Sequence, residues 1–128
     1  MIKQFLIVLF STFLITRTTA HLLHDMKNYG TKKERSKTIT GLLRRKTGFD
    51  WHHFHLGILI LIITIALILI IGFNNLSIIF LAIGISMTID QAVPIVNRKT
   101  NYFHTKNLII SLIFHIIISL IALTIYFS

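Results

Sequence analysis

The positions of apolar and polar residues divide the chain into four apolar runs separated by two basic segments and one short uncharged turn. The longest run, Phe54 to Phe73, is almost pure Ile and Leu, interrupted only by Gly57, Thr64, Ala66 and Gly72. About twenty apolar residues in succession make one bilayer crossing. A soluble helix would need polar residues every few positions to cover its outer face. Asn74 and Asn75 follow as a tight turn. A further run extends from Leu76 to about Val96 and another from Asn107 to Phe127, so the spans fall at about 54–73, 76–96 and 107–127.

The first apolar run, Phe5 to Ile15, is shorter. Such a length suits a signal-peptide core, and Thr18-Thr19-Ala20 is a passable cleavage site. A retained anchor is the other reading, with Lys3 and Arg17 snorkelling to opposite interfaces. The strongly basic segment that follows favours the anchor, because a cleaved signal would export it. The expected fold is therefore all-α. It is an integral membrane bundle of three strong transmembrane helices (51–128), preceded by a weaker N-terminal hydrophobic helix (1–19) and a basic loop (20–50).

The polar residues within the spans are patterned. Ala82, Ser86 and Asp90 recur every fourth position, as do Gly84 and Thr88, the spacing by which membrane helices approach closely. Ser111, His115, Ser119 and Ala122 place one narrow polar stripe on the last span, which should face the bundle. Asp50 is positioned to cap the helix beginning at Trp51, itself placed as an interfacial anchor.

Composition sharpens the picture. The chain has 128 residues, 54% of them hydrophobic, with a mean hydropathy of +0.77, which leaves no room for a separate soluble domain. Thirteen Lys and Arg against four Asp and Glu give a net charge of +9. In a soluble protein that balance would suggest nucleic acid. Here it is better explained by basic residues gathering in cytoplasmic loops, and no nucleic-acid partner is expected. Nine Lys and Arg lie between Arg17 and Lys46, three lie between Asn97 and Lys106, and none lies at the Asn74 turn. That distribution predicts a multi-pass protein of the cell membrane, with basic loops in the cytoplasm and the C-terminus outside. The basic loops should attract anionic lipid. The absence of cysteine excludes disulfides, thiolate zinc sites and iron–sulfur clusters.

Candidate chemistry centres on Trp51-His52-His53-Phe54-His55. The expected topology brings His52, His53, His55, Asp90, Gln91, His104 and Lys106 toward one membrane surface. His52 and His55 share a helix face, and with Asp90 they are the right ligands for Zn, Fe, Mn or Cu, with His104 a further candidate. An intramembrane carboxylate marks a partner or a site by default. The structural alternative is that Asp90 pairs with His55, Lys106 or Arg98 and fixes the packing. His115 lies deeper, where a neutral ring bonding Ser111, Ser119 or a neighbouring helix is the simpler expectation than catalysis. There is no G-x-S-x-G, no phosphate-binding Gly loop and no H-E-x-x-H.

The pattern Arg44-Arg45-Lys46-Thr47-Gly48, then Trp51-His52-His53-Phe54-His55-Leu56-Gly57, then Ile89-Asp90-Gln91 and Pro94 resembles small integral membrane proteins found mainly in archaea. These share a TG…HHxHxG start and a later D-E/Q…P helix end. The resemblance covers about Arg44 to Pro94 and implies that the histidine cluster and Asp90 form a unit. Three functions are compatible with these features. The first is a non-catalytic accessory or stabilising subunit of a larger membrane complex, with other membrane subunits or further copies as partners. The second is a metal-binding protein or metalloenzyme using His52, His55 and Asp90. The third is a small oligomeric transporter or channel with Asp90 and His115 on a polar path.

Overall fold

A computed structural model describes residues 1–23, 46, 53–96 and 105–128. Four long helices account for nearly all of them: α1 (Ile2–Leu23), α2 (His53–Ile71), α3 (Asn75–Val96) and α4 (Thr105–Phe127). Each is long and apolar enough to cross a membrane. At ~1.5 Å per residue, even the shortest spans close to the ~30 Å hydrocarbon core. The N-terminal segment is therefore no lesser element. At 22 residues, α1 is as long as α3.

α3 is the hub. It packs against α1, α2 and α4, whereas α2 packs on α3 alone among the described helices. The two four-residue series of α3 serve different neighbours. Gly84 and Thr88 face α2: a Cβ on Gly57 would sit 2.8 Å from the Thr88 backbone nitrogen and 3.1 Å from the Gly84 carbonyl oxygen. A Cβ on Gly84 would meet the Leu61 side chain at 2.8 Å. Glycine at both positions lets the two backbones approach, which in lipid substitutes packing contact for the missing hydrophobic drive. Thr64, one of the few non-aliphatic residues of α2, is fully buried and turns its hydroxyl back to the Ile60 carbonyl oxygen at 2.7 Å.

Ala82, Ser86 and Asp90 lie on the opposite side of α3 and are all buried. Phe5 and Leu9 of α1 join Ile78 and Ala82 of α3 in an apolar cluster, flanked by Ile118 and Ala122 of α4. α1 and α3 run parallel, because the cluster joins their beginnings and Arg17 meets Asp90 near their ends. α2 and α4 run antiparallel to α3. One end of the bundle thus collects the end of α1, the start of α2, the end of α3 and the start of α4. Both basic segments of the sequence connect helices at that end.

The α2–α3 turn sits at the other end and is held by local hydrogen bonds. Gly72 adopts φ +76°, a left-handed conformation that glycine takes without steric cost, and its N–H donates to the Ile68 carbonyl oxygen at 2.9 Å. Asn74 caps α3: its Oδ1 accepts from the Leu76 and Ser77 N–H groups at 2.9 and 3.1 Å. Ser77 Oγ accepts from the Asn74 N–H at 2.9 Å in return. This reciprocal pair is the serine form of a capping box.

Candidate functional site: a buried polar core

The polar stripe of α4 is buried and extends one step further than the sequence spacing suggested. Asn107, Ser111, His115 and Ser119 recur every fourth residue and all face inward. They meet the Ser86–Asp90 face of α3 and the Phe13–Arg17 face of α1.

At the centre is an ion pair. Arg17 Nε donates to Asp90 Oδ1 at 2.7 Å, and Arg17 Nη2 lies 2.7 Å from the same oxygen. Ser111 Oγ also donates to Asp90 Oδ1, at 2.9 Å. Arg17 is 5% exposed and Asp90 1%. Removing two charges from water costs several kcal/mol per ion, which only close pairing and further hydrogen bonds offset. Two hydrogen bonds on one carboxylate oxygen, from Arg17 Nε and Ser111 Oγ, with Nη2 held in ionic contact but without a hydrogen bond of its own, go part of the way to that requirement.

Ser111 carries the network onward. Its carbonyl oxygen lies 2.8 Å from His115 Nδ1. A carbonyl can only accept, so Nδ1 bears the proton; in the neutral ring Nε2 then accepts from Ser86 Oγ at 3.0 Å. Ser119 Oγ closes the series on the His115 carbonyl oxygen at 2.8 Å. His115 is fully buried. Its ring packs against Phe13, with centroids 4.6 Å apart, and more loosely against Phe10 at 6.2 Å. Phe13 also lies under the Arg17 guanidinium, at 5.9 Å, within cation–π range. One turn of α1 therefore contacts both the ion pair and the imidazole.

This arrangement revises one expectation and adds to another. Arg17 does not snorkel to an interface; it is buried and bonded to Asp90. Among the described residues, Asp90 is bonded to Arg17 and Ser111, neither of which the sequence had suggested as its partner beside His55, Lys106 or Arg98. The sequence did hold a signal for the pairing. Arg17 stands six residues before the end of α1 and Asp90 six before the end of α3, so opposite charges sit at the same depth on parallel helices.

Of the proposed metal ligands, His55 is partly buried with its ring edge-on to Phe54 at 5.7 Å. His52, His104 and the side chain of His53 lie outside the described residues, as do Asp50, Trp51 and Arg98. Among the described residues, no three His, Asp or Glu side chains are grouped to hold a metal ion. Gln91 is buried beside Asp90 in the sequence, at the same level of α3.

A second feature lies toward the opposite end. A groove of about 510 Å³ opens among α1, α3, α4 and the turn, with Met1, Phe5, Phe73, Ile85, Ile118 and Tyr126 in its lining. Apart from the tyrosine hydroxyl, those side chains offer no group for polar chemistry. Four apolar helices around a buried polar core define a multi-pass helical membrane protein. No protein-family model, curated protein or solved structure matches the chain.

Proposed function

We propose that this protein is a non-catalytic subunit that stabilises a larger membrane assembly. It lies in the cell membrane with its basic connections in the cytoplasm and its C-terminus outside. One observation supports this above the others: the charged and polar groups of the core are turned inward and bonded to one another. Arg17, Asp90, Ser111, His115 and Ser86 tie three helices together by hydrogen bonds. Outward, α2 and α4 offer long Ile/Leu surfaces, and among the described helices α2 is held by α3 only. A small bundle of this kind has much apolar surface for neighbouring subunits. The same ion pair supports α1 as a retained membrane helix, since removing it would break the buried Arg17–Asp90 contact.

The test is extraction in mild detergent followed by native electrophoresis and identification of co-migrating chains. The reading predicts a complex containing unrelated membrane subunits. Migration alone, or only as copies of itself, would overturn it. The topology is checked by labelling cysteines introduced at Lys46 and at Ser128, which should be accessible from opposite sides of the membrane.

A second reading draws on the hydrogen-bonded series from Arg17 to Ser119. Intramembrane Asp, Arg and His residues often mark proton or ion paths. It predicts flux in proteoliposomes that falls on Asp90→Asn substitution; flux unchanged by that substitution would dismiss it.

A further inference from the structure

The outward face of α1 differs from those of α2 and α4. Gln4, Ser11 and Thr18 recur every seventh residue and are all exposed, with Ile7, Leu14 and Leu22 beside them at 66%, 61% and 78% exposure. This strip lies directly opposite the Phe5, Leu9, Phe13 and Arg17 face that enters the bundle. The exposed midsections of α2 and α4 carry Leu59, Ile62, Ile63, Ile65, Ile113 and Ile116, without a polar group. Thr16 and Thr19 of α1 return their hydroxyls to carbonyl oxygens of the same helix, at 2.8 Å to Thr12 and 2.7 Å to Ile15. Gln4, Ser11 and Thr18 make no such bond in the structure.

We infer that this strip is the contact between two copies of the chain, α1 against α1 about a two-fold axis along the membrane normal. A period of seven is the spacing that keeps one seam facing a partner helix. Polar groups within lipid gain by finding a partner across a helix interface. A second copy fits for a specific reason. Two copies inserted with the same topology present parallel α1 helices, so each residue meets its own counterpart at its own depth. Gln, Ser and Thr side chains each donate and accept, so each can pair with its own copy. A strip of Lys or Glu could not. Ile7 and Leu14 fill the seam between the polar positions.

The chain has no cysteine, which allows single cysteines to report the seam without background. Cysteines at Ile7, Ser11, Leu14 and Thr18, oxidised in native membranes, should give disulfide-linked dimers. Cysteines at the exposed Ile62, Leu69, Ile113 and Leu120 should give at most about a tenth as much. Equal cross-linking at both sets, or none at the seam, overturns the inference. In the second arm, Ser11→Leu with Thr18→Leu keeps α1 apolar and should weaken dimerisation in liposomes about three- to tenfold, as expected for one or two interhelical bonds. An unchanged dissociation constant also overturns it. The accessory reading is judged separately. Foreign subunits without seam cross-links would refute the dimer and leave that reading standing, whereas seam-linked dimers alone would do the reverse. Loss of α1 by cleavage would show as a shortened chain on the same gel.

Discussion

Arg17 and Asp90 stand 73 positions apart in the sequence and meet through a 2.7 Å hydrogen bond in the bundle interior. Their pairing makes α1 and α3 interdependent. Removing one partner of a buried pair is expected to cost ~3–5 kcal/mol, because the other charge is left uncompensated. Arg17→Leu and Asp90→Leu should each destabilise the protein to that degree in detergent unfolding. The double variant should recover much of the loss. If the double variant is as unstable as the sum of the singles, the two residues are not coupled.

The two close-approach glycines are expected to differ. An added methyl at Gly57 meets the Thr88 backbone nitrogen at 2.8 Å, so the helices must separate. Gly57→Ala should cost ~1–3 kcal/mol, the usual range for overpacking. At Gly84 the nearest atoms are the Leu61 Cγ and Cδ2, which have more freedom to move. Gly84→Ala should be milder, and Leu61→Ala should rescue it. Thermal unfolding of the three variants measures the order.

His115 is held by Ser86 on α3 and by the Ser111 carbonyl on its own helix. Ser86→Ala removes only the interhelical bond and should cost ~0.6–1.7 kcal/mol, the range for such bonds within membranes. His115→Leu removes that bond together with the imidazole packed on Phe13 and should cost more. Equal stabilities for Ser86→Ala and the parent would show that the bond contributes nothing.

At the turn, Asn74→Ala removes the cap of α3 and should cost ~0.5–2 kcal/mol. Gly72→Ala places a Cβ at φ +76° and should cost ~1–2 kcal/mol. Asn75-Leu76-Ser77 reads as a glycosylation sequon, but Ser77 is fully buried and bonded to Asn74. The folded protein should therefore stay unmodified at Asn75, which a mobility shift on glycosidase treatment checks.

The α2 and α3 spans and the inward polar stripe of α4 could be read from the sequence because they depend on local pattern. Run length sets a bilayer crossing, and Ser111, His115 and Ser119 share a face by helix geometry alone. The two four-residue series of α3 were also legible as contact faces. Their assignment, one to α2 and the other to α1 and α4, depends on where the third neighbour docks. The pairing of Arg17 with Asp90 was harder to find for the same reason. The sequence pattern alone points to His55, Lys106 and Arg98 as candidates near Asp90, whereas Arg17 becomes a neighbour only when α1 joins the bundle. Charge sign and depth on two helices carried that information, but periodicity within one helix did not.

The separation of the ion pair along the chain also orders events during synthesis. α1 emerges first and carries Arg17 into the membrane before its carboxylate exists. At about 5–20 residues per second, the 73 positions from Arg17 to Asp90 take roughly 4–15 s to make. Throughout that interval an arginine in the last third of α1 disfavours full insertion, a cost of up to about 2.5–3.5 kcal/mol were it at the bilayer centre. Nascent chains halted before Asp90 should therefore hold α1 shallowly, and chains extended through α3 should draw it in. The pair that fixes the finished bundle thus times when its first helix commits to the membrane.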